Sequence, residues 1–71
     1  MPIEYLLVPS ISGQPSVRAI SAALEALPGV LLVSVSPSDK RVRVEHDGRA
    51  NLASILAAIR AAGHPDAAVL A

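Results

Sequence analysis

Ser10, Ser12 and Ser16 stand in one short segment, Pro9-Ser10-Ile11-Ser12-Gly13-Gln14-Pro15-Ser16, and His64 lies in a second loop near the end of the chain. Hydroxyls and an imidazole are the parts of a nucleophile and its general base, and that chemistry also needs an acid to orient the base. No carboxylate stands at a recognisable motif position to do so. Three serines ahead of a helix serve more simply as caps and turn formers, so catalysis is not expected. His46 and Asp47 are adjacent, and neighbours in a strand or at its exit point to opposite sides, which makes them poor joint metal ligands. A polar turn is expected there. His64 with serine hydroxyls makes a sparse divalent site.

The bulk of the chain narrows the classes further. Seventy-one residues are enough for one domain, spanning 1–71, near the lower limit at which a core folds without disulfides or metals. Of these residues 52% are hydrophobic, and Tyr5 is the only Phe, Tyr or Trp. Aliphatic and alanine side chains must therefore fill the core closely. Six Lys and Arg balance six Asp and Glu, so no net charge draws in nucleic acid or an anionic membrane. The absence of cysteine removes disulfides, thiolate ligands and thiol nucleophiles together. No apolar run approaches the roughly 20 residues that cross a bilayer, and the N-terminus lacks signal-peptide character. A cytoplasmic location and no membrane insertion are expected.

The elements that must position these residues follow from periodicity. Ile3 to Val8 is apolar except at Glu4 and reads as a strand with something to bury on both faces. Val17, Ile20, Leu24 and Leu27 recur at spacings of three, four and three, one stripe of a helix, with Ser12 or Gln14 as its cap and Pro15 in its first turn. Pro28 and Gly29 end it. Val30 to Ser36 alternates as a half-buried strand, Pro37 to Lys40 makes a turn, and Arg41 to Glu45 returns, with Val42 and Val44 alternating against charge. His46-Asp47-Gly48 breaks the pattern. A second helix runs from a cap at Asn51 to Gly63, Pro65 stops it, and Asp66 to Leu70 forms a short closing strand.

The order strand, helix, strand, strand, helix, strand with right-handed crossovers gives an α+β, ferredoxin-like βαββαβ sandwich. Two helices cover one face of a four-stranded antiparallel sheet of order 4-1-3-2. The fold hosts many functions, so residues must decide among them. An RNA-recognition module places aromatic residues on the central strands, whereas Arg41-Val42-Arg43-Val44-Glu45 has none. An acylphosphatase-type phosphate loop needs an arginine, and the Pro9 to Ser16 loop lacks one.

The order and spacing of Val8, Ile11, Ile20, Ala23-Leu24, Leu27-Pro28-Gly29-Val30, Val33, Val35, Val42, Val44 and Ile59-Arg60-Ala61-Ala62-Gly63-His64-Pro65 resemble the heavy-metal-associated domain, over nearly the whole chain. That family supplies copper chaperones, mercury-binding proteins and the amino-terminal modules of metal-pumping ATPases. The resemblance implies a metal site in the first loop, of pattern M-x-C-x-x-C, whose two thiolates grip soft metals. Counting back from Leu27-Pro28-Gly29-Val30, the methionine position falls on Ile11 and the two cysteine positions on Gly13 and Ser16. None is a soft ligand, and Ile11 instead fits a structural plug beneath the loop. His64 falls where some members place a histidine near the metal, and is the one matched position keeping ligand chemistry.

The leading reading is therefore a domain of the metal transport and chaperone family that has lost thiolate binding and works as a protein-interaction or regulatory module, with no cofactor. If Leu6 and Val8 face the helices, as the register of the family the chain resembles implies, Ile3, Tyr5 and Leu7 form an apolar patch on the open face of the sheet, suited to a homodimer or a protein partner. The stems of Arg41 and Arg43 could cover it instead. Two alternatives remain: a metal-handling protein with a residual metal ion site at His64, and an ACT-like small-molecule sensor with Ser12-Gly13 beside its ligand.

Overall fold

Alternating side chains along three strands and two apolar helical stripes bury one common layer. The structure, a computed structural model, describes residues 2–70. Its elements are β1 (Ile3–Leu7), α1 (Gln14–Glu25), β2 (Val30–Ser36), β3 (Arg41–His46), α2 (Leu52–Ala61) and β4 (Ala68–Val69). The strands form one sheet in the order β2-β3-β1-β4, which from the other edge is the expected 4-1-3-2, and every pairing is antiparallel.

Register explains which residues go inside. Leu6 pairs with Val42 and Glu4 with Val44, while Val33 and Val35 pair with Val44 and Val42. Directly opposed residues share a face, so these side chains all point toward the helices. Leu6, Val8, Val42 and Val44 meet Ile20 and Leu24 of α1 and Ile55 and Ile59 of α2 in a core from which water is excluded. Ile11, from the first loop, is fully buried in the same cluster.

Several boundaries differ from the expectations. β1 ends at Leu7, although the Val8 N–H still bonds the Lys40 carbonyl. Neither Ser12 nor Gln14 caps α1: Gly13 occupies the cap position, no side chain bonds there, and Pro15 lies in the first turn. The serine hydroxyls are committed elsewhere in the loop, as described below. α1 closes at Glu25 with its cap at Ala26, before Pro28 and Gly29. Asn51 does cap α2, accepting the Ser54 N–H at 2.8 Å. β3 extends through His46, which bonds the Pro2 carbonyl through its N–H, so this histidine is a strand residue rather than part of a polar turn.

One glycine is required by close approach. Gly29 has φ +88°, and a Cβ there would stand 2.5 Å from Asp47 Oδ1, 2.7 Å from Arg49 Cβ and 3.0 Å from the Ala50 nitrogen. The bare Cα lets the turn before β2 press against the segment leaving β3, where the Asp47 N–H bonds the Gly29 carbonyl. β2 also carries an irregularity between Val30 and Leu32; Leu31 and Leu32 are half exposed, and Leu32 lies opposite Glu45 on the open face.

The antiparallel order sets three segments at one end of the sheet: the loop after β1, the β2–β3 turn and the loop after α2. The other end holds the turn before β2 and the segment leaving β3. Ser10 to Ser16, Lys40 and His64 therefore belong to one end, and His46 to the other.

Candidate functional site

Ser10 and His64, 54 residues apart, meet at the loop end: Ser10 Oγ lies 2.6 Å from His64 Nδ1. Asp66 closes the group, accepting the Ser10 hydroxyl on Oδ1 at 2.6 Å and the Ser10 N–H on Oδ2 at 2.7 Å. These bonds fix the proton positions. An ionised carboxylate only accepts, so the Ser10 hydroxyl gives its single proton to Asp66 and its oxygen must accept from His64. Nδ1 of His64 therefore carries the hydrogen, and the neutral ring keeps its lone pair on Nε2. No group among the described residues bonds Nε2, which reaches solvent although the residue is only 7% exposed. The Ser10 hydroxyl is the main cause that holds the Asp66 carboxyl below the usual carboxylate range, against a smaller opposing effect of burial.

The order Asp66, Ser10, His64 is not that of a nucleophilic triad. There the acid orients the base and the base takes the hydroxyl proton, whereas here the acid takes the hydroxyl proton and the serine holds the imidazole. The same relay does match the way a ligating histidine is oriented, with one ring nitrogen tied back to a carboxylate and the other left open.

Within the first loop, Ser16 is buried and its Oγ accepts the Ser12 N–H at 3.1 Å, with the Ser12 hydroxyl at 3.5 Å. Gly13 takes φ +90° as the cap of α1, and a Cβ built on it meets nothing within 4 Å. Lys40, at the β2–β3 turn with φ 59°, donates from Nζ to the Ile11 carbonyl. The loop is thus held from within by Ser16, from below by the buried Ile11 side chain, and from the neighbouring turn by Lys40.

The remaining residues singled out from sequence lie elsewhere. Ile3 and Tyr5 are exposed on the face of the sheet away from the helices, at 38% and 50%, and Leu7 is half buried there. Tyr5 pairs with Arg43, whose guanidinium reaches Glu45 Oε2 at 3.0 Å along its own strand. His46 is inside at the opposite end. Its Nε2 lies 3.2 Å from Glu4 Oε2, and its Nδ1 accepts the Gly48 N–H at 3.2 Å, so the hydrogen sits on Nε2. Asp47 turns instead to Arg49, which holds its carboxyl below the usual range through hydrogen bonds to the side chain and the backbone.

With this geometry in place, the family can be tested. The sequence profile of the heavy-metal-associated domain matches residues 6–65. The chain belongs to that family. Among solved structures, a copper binding domain from HMA7, a P-type ATPase, is 26% identical over 100% of this chain and 96% of its own, with a TM-score of 0.92. The apo form of CopP from Helicobacter pylori is 30% identical over 97% of this chain and 100% of its own, at a TM-score of 0.83. A chain of the Atx1-Cu(I)-Ccc2a complex is 25% identical over 97% of this chain and 94% of its own, at 0.85. No curated protein matches the sequence. Membership places the protein with metal chaperone and transporter domains rather than with ACT-like sensors.

The loop of this HMA domain does not fit a soft metal. Position 11 offers a buried isobutyl-sized hydrocarbon, position 13 no side chain, and position 16 a hydroxyl already bonded within the loop. Soft cations select thiolate and thioether donors, and the chain has no cysteine. Among the described residues no group of three or more His, Asp or Glu side chains converges to hold a metal ion, and no helix is long and apolar enough to cross a membrane. Asp66 and Lys40 are the contributors that sequence reasoning missed. Their signal was topological: both fall in turns that the strand order brings to the same end as Ser10.

Proposed function

We propose that this HMA domain works through contacts with other proteins, as an interaction or regulatory module, and not by capturing soft metal in its first loop. The observation that carries this reading is the internal commitment of that loop, with Ile11 in the core, Gly13 as helix cap and Ser16 bonding the Ser12 N–H. The scaffold of a metal-handling family is kept while the positions that match its ligands have become packing and capping groups. The reading covers a single domain of residues 1–71, a cytoplasmic setting, no catalysis and no nucleic-acid or membrane partner. Titration with copper(I) and zinc under reducing conditions tests it. The expected result is no binding through the first loop, and saturable copper(I) binding tighter than about millimolar that survives removal of the His64 imidazole would overturn it.

A second reading has its own support in the open Nε2 of His64. The Asp66-Ser10-His64 relay presents one preoriented imidazole nitrogen at the loop end, which can complete a coordination sphere whose other ligands come from a second molecule. In that case the domain handles metal as one side of a shared site. Copper(I) or zinc binding that appears only with a thiol-bearing partner, and disappears in His64→Gln, supports this second reading.

A further inference from the structure

The open face of the sheet has a symmetry that its sequence does not display. Three rows cross β1 and β3: Ile3 with Glu45, Tyr5 with Arg43, and Leu7 with Arg41. The middle row lies midway between the outer two. A two-fold axis along that row exchanges the outer rows, so in two copies packed face to face Ile3 meets the partner's Leu7, and Arg41 meets the partner's Glu45. Tyr5 lies over its own counterpart. Arg43 does likewise, but each Arg43 is already neutralised by its own Glu45 at 3.0 Å, and that carboxylate has a second oxygen to offer. Arg41 has no ion-pair partner among the described residues.

Charge decides between the two orientations in which the faces could pack. The chain is neutral overall, with six cations and six carboxylates. The fold separates them. Arg18 in the second turn of α1, Lys40, Arg41 and Arg60 stand at the loop end with only Asp39 and Asp66. Glu4, Glu25, Glu45 and Asp47 stand toward the other end with Arg43 and Arg49. One end has an excess of two positive charges and the other of two negative. Strands packed in parallel set like ends together, while antiparallel strands set opposite ends together.

We infer that the open sheet face is an interface between two copies of this chain, packed face to face with antiparallel strands, held by the β1 apolar column and by reciprocal Arg41–Glu45 pairs. The inference rests on the reading that the domain acts through protein contacts, and names a second copy as that protein. The two sheets lie about 10 Å apart with the usual rotation near 30°. A standard stable interface takes roughly 800 Å² from each partner, about a fifth of the 3922 Å² that the molecule exposes, and three rows across two strands supply less. The dimer is therefore a weak, reversible one.

Charge exchange between mixed variants tests the arrangement. Sedimentation equilibrium of the wild-type chain from micromolar to millimolar concentration is expected to show a monomer–dimer equilibrium that weakens with added salt. Arg41→Glu and Glu45→Arg are each expected to weaken self-association by about tenfold, because each places like charges opposite one another. Mixed in equal amounts they should associate better than either variant alone, since each chain then supplies what the other lacks, while the Arg43 that has lost its own Glu45 holds the mixture below wild type. Circular dichroism of each variant checks that the fold is kept, since Glu45→Arg also breaks the Arg43–Glu45 pair. A wild-type chain that stays monomeric at millimolar concentration, or variants whose mixture associates no better than either alone, would overturn the inference. A strict monomer that still binds a separate HMA domain would overturn the dimer and leave the interaction reading standing. A monomer that binds neither would remove both.

Discussion

His46 and His64 are both buried imidazoles, at 4% and 7% exposure, and they stand at opposite ends of the same sheet. At His46 both ring nitrogens are satisfied within the protein, Nε2 by Glu4 and Nδ1 by the Gly48 N–H. At His64 only Nδ1 is satisfied, through Ser10. The two rings consequently carry opposite tautomers, with hydrogen on Nε2 in one and on Nδ1 in the other. Burial alone does not separate a structural histidine from one available for chemistry. The count of uncommitted nitrogens does, and it assigns His46 to the framework and leaves His64 with one nitrogen unbonded within the protein.

The change expected to alter this contrast most is a gain of function at the His64 end. Replacing Gly13 and Ser16 together by cysteine places two thiols at the family spacing, and the space around Gly13 accommodates a new Cβ. The double variant is expected to bind copper(I) where the parent does not, measured by competition with a chromophoric chelator. Its cost is strain at φ +90° and loss of the Ser16 bond, about 1–3 kcal/mol of stability. A double variant that folds but binds no more copper(I) than the parent would show that the loop departs from the family in shape as well as in ligands.

Next in size is loss of the framework imidazole. His46→Ala leaves a cavity, an unpaired Gly48 N–H and a half-buried Glu4 carboxylate, and is expected to destabilise by about 2–3 kcal/mol. In a domain of this size the Tm should fall by roughly 10–20 °C in a thermal melt. His64→Gln should be milder, within about 1 kcal/mol by urea denaturation, because its amide can still donate to Ser10. Equal losses at the two positions would collapse the distinction.

The smallest effects concern protons. Asp66→Asn leaves one acceptor oxygen for the two Ser10 donors; the backbone N–H cannot turn away and keeps it, so the amide NH2 faces the hydroxyl, which swings toward His64. The imidazole hydrogen is then expected to move from Nδ1 to Nε2, which nitrogen-15 chemical shifts of the ring report directly; an unchanged tautomer would contradict the relay. The pH dependence has a definite sign. Because Asp66 titrates below its unfolded value of about 3.9, its contribution is complete above that value and is lost as pH falls through the lower, folded one. The protection factor of the Ser10 amide should hold above about pH 4 and fall only as pH drops through the lower, folded value.

Element order, the sheet topology and the inward Val42 and Val44 were legible in the sequence, because periods of 2 and 3.6 directly express which side faces a core; β1 is apolar on both sides, so Leu6 and Val8 could be set inward only by the register of the family the chain resembles. Asn51 as a cap was legible for the same local reason. The cap of α1 was not, since Ser12 and Ser16 bond each other's loop rather than the helix terminus, a choice made by tertiary packing around the buried Ile11. His46 read as a turn residue because its partners, Glu4 and Gly48, are set by strand register and by a bend after the strand. The Ser10-His64-Asp66 group spans 56 residues and contains no motif, so only the topology that folds three turns to one end could disclose it.

The lone aromatic side chain has a practical consequence. Tyr5 is half exposed on the open face and the core holds no ring of its class. The intrinsic fluorescence of this protein therefore carries almost no signal from its interior. Instead it is a built-in optical probe of whatever lies against the sheet, sensitive to quenching and to polarisation decay there, and it needs no label.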